Sequence, residues 1–182
     1  MPLLFPDTTV LVNFVQMARV DLFAELVSTN GQWTLTIAEE AARLSSRPGL
    51  EGLHRFRSLL DDPLIPNPAE RAYAFRLRAR IAAPGDDPRA HQGEAETIAV
   101  MHSQLINGAF FTVDLAAATL ARSADIGLKV YTTGDLIRLA VRTNKIDLDT
   151  AWGMIEVLRS HGQARGVPVV REQLSQWVFR KV

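Results

Sequence analysis

The chain has 182 residues and contains no cysteine. This absence excludes disulfide frameworks, thiolate zinc sites and cysteine nucleophiles. Its 20 basic and 20 acidic side chains cancel, so the chain also lacks the overall positive charge typical of many nucleic-acid-binding proteins. A local basic patch remains compatible with this balance, and any function in nucleic-acid binding must rest on one.

Long apolar runs are also missing. The longest uncharged stretch, residues 97–113, carries His102, Gln104 and Asn107, which excludes a membrane span there. The first residues lack the basic region of a secretory signal. Because 47% of the residues are hydrophobic, the chain can bury a sizeable core. We therefore expect one domain over residues 1–182, cytoplasmic and without a membrane partner.

Short apolar runs alternate with segments of helical periodicity. The predicted strands are the run from Leu3 to Asp7 and residues 32–35, 109–113 and 128–131. The predicted helices cover about 10–29, 36–44, 49–60, 68–83, 94–105, 115–124, 135–143, 148–160 and 171–180. Such alternation is typical of a parallel sheet with helices on both faces. We expect an α/β fold, a three-layer α/β/α sandwich around a mostly parallel sheet of four to five strands.

Two segments lie outside this alternation. Residues 45–90 are interrupted by Pro63, Pro66 and Pro68 and predict a helical insertion too short to bury its own core. Residues 161–182 predict a C-terminal helical extension, which starts with a loop or edge strand and docks on its own domain or on a second subunit.

Two aspartates follow predicted strands, Asp7 after the first and Asp114 after the third. In open α/β sheets, ligands bind outside the carboxyl ends of the strands, so both should project toward one site. The alternative role for each is the N-cap of the next helix.

Two glutamates add to this pair by helical geometry. Thr36 and Glu39 have the spacing of a capping box, which leaves Glu40 on the core-facing side. Glu94 shares a face with Ile98, whereas Glu96 lies on the opposite side and should be solvated.

Four carboxylates, of Asp7, Glu40, Glu94 and Asp114, are thus expected at one edge of the sheet. Gathered like charges raise each other's pKa, and a hard divalent cation removes that conflict. Mg²⁺ or Mn²⁺ takes oxygen ligands and keeps waters for a phosphate substrate. By contrast, the four histidines show no metal-ligand spacing: His54, His91, His102 and His161.

Five segments together resemble the PIN-domain family. They are Leu3–Val12 with Asp7, Trp33–Ala41 with Glu40, Gly93–Ala99 with Glu94, Phe110–Asp114 with Asp114, and Val130–Ile137 followed by Lys145–Asp147. The resemblance covers about 3–47 and 91–160 and implies a PIN-like domain. It also implies a metal-dependent endoribonuclease, a hydrolase that uses Mg²⁺ or Mn²⁺ and has Asp7, Glu40, Glu94 and Asp114 as catalytic residues and metal ligands.

Small bacterial members of this family are commonly toxins of VapBC toxin–antitoxin pairs. The resemblance therefore implies RNA as substrate, a small antitoxin encoded nearby as partner, and a homodimer. Hydroxyls of Thr8 and Thr112 would hold a water or phosphate, and Arg76 and Arg80, which share a helix face, would bind the RNA backbone. The alternative for the arginines is a solvated helix face.

The chain departs from the family at Val113, where many relatives carry an additional aspartate. This departure and the zero net charge motivate a second hypothesis, a catalytically degenerate PIN fold that serves as a binding or regulatory module.

Overall fold

A computed structural model of the chain describes residues 2–180, without the side chain of Ser28. Within this range three strands form one parallel sheet, in the order β1 (Leu3–Pro6), β2 (Gly108–Phe111) and β3 (Lys129–Tyr131). Phe5 pairs with Phe110, and Phe110 pairs with Val130. β2 is central and joins strands that lie far apart in sequence, so the fold depends on long-range pairing.

Ten α-helices surround the sheet within the described residues. They are α1 (Thr8–Gln16), α2 (Val20–Val27), α3 (Leu35–Leu44), α4 (Phe56–Leu59), α5 (Pro68–Ile81), α6 (Gln92–Ser103), α7 (Leu115–Arg122), α8 (Thr133–Arg142), α9 (Leu148–Ser160) and α10 (Leu174–Phe179). Short 3-10 helices occupy Ser28–Asn30, Glu51–Arg55 and Arg171–Gln173. No helix among residues 2–180 is both long and apolar enough to cross a membrane.

Helices cover both faces of the sheet because successive strand side chains point to opposite sides. Phe5 and Phe110 pack on one side in a cluster with side chains of α5, α6 and α7. Ala109 and Phe111 belong to a second cluster, formed with side chains of α1, α2, α3, α8, α9 and α10. The central strand β2 is thus buried on both faces, as is typical of a parallel sheet, whereas Lys129 and Tyr131 of the edge strand β3 are exposed.

The prediction of four to five strands is wrong, because the described chain has three. Residues 31–34 approach the sheet through one isolated bridge, Leu4 to Gly31, with Gln32 N–H donating to Leu4 O at 2.9 Å. The pairing does not continue, because the Trp33 N–H donates to the side chain of Gln32 at 2.7 Å and Thr34 forms a bridge to Leu64, outside the sheet. Helix α3 then begins at once with Leu35. A run of strand-like composition therefore crosses the edge of the sheet without joining it.

Several predicted helices are shorter or broken. The helix expected from Val10 to Thr29 splits into α1 and α2 at Ala18, whose φ of 52° cannot continue a right-handed helix. Residues 49–60 form a 3-10 helix followed by the short α4, and the final helix begins at Leu174. Residues 162–170 are a loop. Residues 181 and 182 of the predicted extension lie outside the described residues.

The predicted capping box at Thr36 and Glu39 is also wrong. Thr34 is the N-cap of α3, and Thr36 lies inside the helix. The backbone N–H and the hydroxyl of Thr36 both donate to the carboxylate of Glu96, at 2.9 and 2.7 Å. Glu96, predicted to be solvated, is therefore half-buried and ties α3 to α6, while Glu39 is exposed.

Candidate metal centre

The two strand-end aspartates lie at the carboxyl edge of the sheet, as the sequence predicted. Asp7 directly follows β1, and its backbone N–H donates to Phe111 O at the end of β2. Each aspartate is also an N-cap: Oδ1 of Asp7 accepts from Val10 N at 2.7 Å, and Oδ1 of Asp114 accepts from Ala117 N at 2.8 Å. The cap and the ligand hypotheses are therefore compatible, since capping uses one oxygen of each carboxylate.

Helices α3 and α6 bring the two glutamates toward this edge. Glu94 lies in the first turn of α6, directly after Gly93. A Cβ on Gly93 would lie 2.4 Å from Ile37 Cδ1 and 3.4 Å from Glu40 Oε2, so the missing side chain lets α6 approach α3 closely. Oε2 of Glu40 accepts a hydrogen bond of 2.6 Å from the Thr8 hydroxyl. A glycine thus sets the spacing of the two helices that carry the glutamates.

Asp7 is the most deeply buried of the four carboxylates, at 1% exposure. Burial raises its pKa from 3.8 to about 7, with further increases from the charges of Glu94 and Asp114. The nearby Thr112 hydroxyl opposes this rise in the pKa. Oδ2 of Asp7 has no hydrogen-bond partner among the described residues. An unpartnered buried carboxylate oxygen is costly, and a cation is the partner that would compensate it.

The pKa values of Glu94 and Glu40 are also raised. Burial raises the pKa of Glu94, and the charges of Glu40 and Asp114 add to the rise. Burial likewise raises the pKa of Glu40, which the Thr8 hydrogen bond and the Arg43 charge oppose. The charges of Glu40 and Asp114 act on Glu94, and those of Glu94 and Asp114 act on Asp7, so the four carboxylates face one region. Of the four, only Glu94 and Asp114 belong to the group of described residues whose ligand atoms lie within 4.8 Å of one another.

One member of this region was not predicted. His91, the N-cap residue of α6, places Nδ1 3.2 Å from Asp114 Oδ2. Ligand atoms of His91, Glu94 and Asp114 all lie within 4.8 Å of one another, which is close enough to share a metal ion. A search for histidine pairs at ligand spacing misses His91, because its neighbours in the fold are carboxylates. Its position two residues before Gly93 and three before Glu94 was the only signal in the sequence.

A cleft of about 370 Å³ opens beside the acids and is lined by Glu40, Glu94 and His91 together with Arg43 and Arg89. The predicted RNA-binding pair lies elsewhere on α5, where Arg80 donates to Asp125 at 2.9 Å and Arg76 lies over the ring of Tyr73. Arg43 and Arg89 are therefore the cations that accompany the candidate metal centre.

The two threonines predicted to hold water or phosphate instead contact the acids. Thr8 donates to Glu40, and the Thr112 hydroxyl accepts from the backbone N–H of Asp114 at 3.0 Å. Both side chains are buried, so in this structure they orient carboxylates. A separate apolar cavity of about 630 Å³ lies between β3 and α8 and contains none of the four acids.

Comparisons with known proteins give no relative of this chain. No protein-family model, no curated protein and no solved structure matches it.

Proposed function

We propose that the protein is a metal-dependent endoribonuclease of PIN-like architecture. The observation that carries the proposal is the buried, unpartnered Oδ2 of Asp7, which lies among other carboxylates at the carboxyl edge of a parallel sheet. This donor set fits a hard divalent cation, because carboxylate oxygens are the preferred ligands of Mg²⁺ and Mn²⁺. Asp7, Glu40, Glu94 and Asp114 would hold the ion.

The residues around the proposed metal ion have separate roles. A bound Mg²⁺ or Mn²⁺ would polarise the phosphodiester and acidify a water molecule. Thr8 fixes the carboxylate of Glu40, and Thr112 fixes the backbone at Asp114. Arg43 and Arg89 offer guanidinium groups at the cleft for the phosphates of an RNA strand.

The test is metal-dependent cleavage of structured and unstructured RNA. The wild-type protein should cleave with Mn²⁺ or Mg²⁺ and stop when EDTA is added. Asp7→Asn should keep the fold and lose about 100-fold or more in rate, the order seen when one electrostatic transition-state contact is removed. Asp147→Asn is the matched control, because Asp147 also caps a helix through its side chain but is exposed. Cleavage by Asp7→Asn at the wild-type rate would contradict the site assignment.

The resemblance to toxins adds a cellular prediction. Expression of the wild-type chain in a bacterial host should arrest growth, and co-expression of a small neighbouring antitoxin gene should relieve the arrest. Asp7→Asn should be harmless at equal expression. Growth arrest by both proteins would reject RNA cleavage as its cause.

A specific contact supports the second candidate, a catalytically degenerate binding or regulatory module. His91 stands beside Asp114, and as an imidazolium it would neutralise one of the acids without a metal. This candidate predicts no Mn²⁺ binding at millimolar metal and no RNA cleavage. Calorimetry with Mn²⁺ therefore separates the two candidates before any substrate is known.

A further inference from the structure

The backbone at His91 has an unusual conformation. Its φ is 62°, in the left-handed region that residues other than glycine seldom occupy. Although His91 is the N-cap residue of α6, its side chain forms no capping hydrogen bond. The imidazole instead lies beside Asp114, with 20% of the side chain exposed. The His91 side chain therefore does not cap α6 and lies against Asp114 instead.

Those contacts involve both ring nitrogens. Nδ1 lies 3.2 Å from Asp114 Oδ2 on the side of the carboxylate cluster, and Nε2 lies 3.6 Å from Asp86 Oδ2. The Asp86 carboxylate is itself held by the backbone N–H of Ala83 at 2.7 Å. Metal-binding histidines typically direct the second ring N–H at a carboxylate, which fixes the tautomer and leaves the other nitrogen free to coordinate. Asp86, His91 and the acidic cluster follow one another in this order, although the 3.6 Å between Nε2 and Asp86 Oδ2 is longer than a hydrogen bond.

We infer that His91 is a direct ligand of the metal through Nδ1, and that the resulting nitrogen–oxygen donor set makes the site prefer Mn²⁺ to Mg²⁺. Two independent observations support it. Ligand atoms of His91, Glu94 and Asp114 lie within 4.8 Å of one another. The fully buried Oδ2 of Asp7 has no hydrogen-bond partner among the described residues, although the charges of Glu94 and Asp114 raise the pKa of its carboxyl.

The metal preference follows from ligand chemistry. Mg²⁺ favours an oxygen-only octahedral shell, whereas imidazole is a ligand of first-row transition metals. A nitrogen donor in this position therefore favours Mn²⁺ relative to Mg²⁺. The inference rests on the metal site proposed above, but it does not depend on RNA cleavage.

Pulsed electron paramagnetic resonance of Mn²⁺ bound to the metal-free protein tests the ligand directly. Wild-type protein should show a ¹⁴N nucleus coupled to Mn²⁺, which a site of carboxylates alone would not give. The coupling should vanish in His91→Gln and persist in His102→Gln, a matched control at the other end of α6, where His102 packs near Tyr73. Calorimetry should show a 10- to 100-fold loss of Mn²⁺ affinity in His91→Gln, with a smaller loss for Mg²⁺.

The outcomes separate this inference from the proposed function. Mn²⁺ binding without ¹⁴N coupling in the wild-type protein would overturn the inference and leave His91 as a charge partner of Asp114, whether or not RNA is cleaved. Coupling without RNA cleavage would support His91 as a ligand and reject the nuclease. No Mn²⁺ binding would overturn both. Because the wild-type spectrum decides, the test holds even if His91→Gln fails to fold.

Discussion

Replacing Asp7 by asparagine should change how the stability of the metal-free protein depends on pH. The carboxyl has a pKa of about 7 when folded and an ordinary value of 3.8. At pH values between 3.8 and about 7, the Asp7 carboxyl keeps its proton in the folded state and has released it in the unfolded state. The free energy of unfolding therefore falls as the pH rises. The stabilisation is fully present below pH 3.8 and lost as pH passes 7. The whole effect amounts to about 4 kcal/mol.

The measurement is urea unfolding followed by circular dichroism, in EDTA, at pH 5 and pH 8. From pH 5 to pH 8 the wild-type protein should lose about 3 kcal/mol more than Asp7→Asn. Asparagine caps a helix about as well as aspartate, so the variant keeps the start of α1. Added Mn²⁺ at 100 times its Kd should restore about 2.7 kcal/mol to the wild-type protein at pH 8 and much less to the variant.

Asp147→Asn is the control for this experiment. Hydrogen bonds from Thr150 lower the pKa of Asp147, which is exposed, so its stabilising contribution is present at neutral pH and lost in acid. Between pH 5 and pH 8 Asp147 is deprotonated in both the folded and the unfolded state, so its substitution should leave the pH dependence in this range as in the wild-type protein and leave the response to Mn²⁺ intact. Equal pH slopes for wild type and Asp7→Asn, or equal stabilisation of both by Mn²⁺, would refute the argument from burial.

Two further predictions concern helix spacing and the cleft. Gly93→Ala should cost about 1–3 kcal/mol in urea unfolding, because the new methyl meets the buried Ile37. Gly153→Ala in α9 meets nothing within 4 Å and should gain up to about 1 kcal/mol; equal effects would reject the packing argument. Arg43→Ala and Arg89→Ala should each weaken RNA binding and lower its salt-dependence slope by about 1, unlike the exposed Arg57→Ala; no change in the slope would remove these arginines from the interface.

The sequence predicted that the two aspartates lie at one edge of the sheet because this placement follows from local rules. Asp7 comes directly after a short apolar run, and strand ends meet at one edge of a parallel sheet. Glu40 and Glu94 were selected by helical periodicity, which depends only on spacing along the chain. These rules fix the side of an element on which a residue lies, but not what packs against that side.

The remaining features depend on contacts that no local rule contains. The position of Glu96 follows from the approach of α3 to α6, which gives it Thr36 as a partner. The histidine beside Asp114 depends on one residue with a positive φ. The segment around Trp33 has the composition of a strand, but the Trp33 N–H donates to the side chain of Gln32 and not to a neighbouring strand. The Arg43 and Arg89 cleft likewise forms only when the segment before α6 folds against α3.

The pairing of β1 with β2 has a consequence during synthesis. β1 is synthesised about a hundred residues before its ladder partner, residues 108–111. At ribosomal rates the first strand waits roughly 5–20 s for that partner. Asp7 and Asp114 cannot meet before then, because the strands that carry them are not yet adjacent. A nascent chain therefore cannot bring these two carboxylates together until Asp114 has been translated.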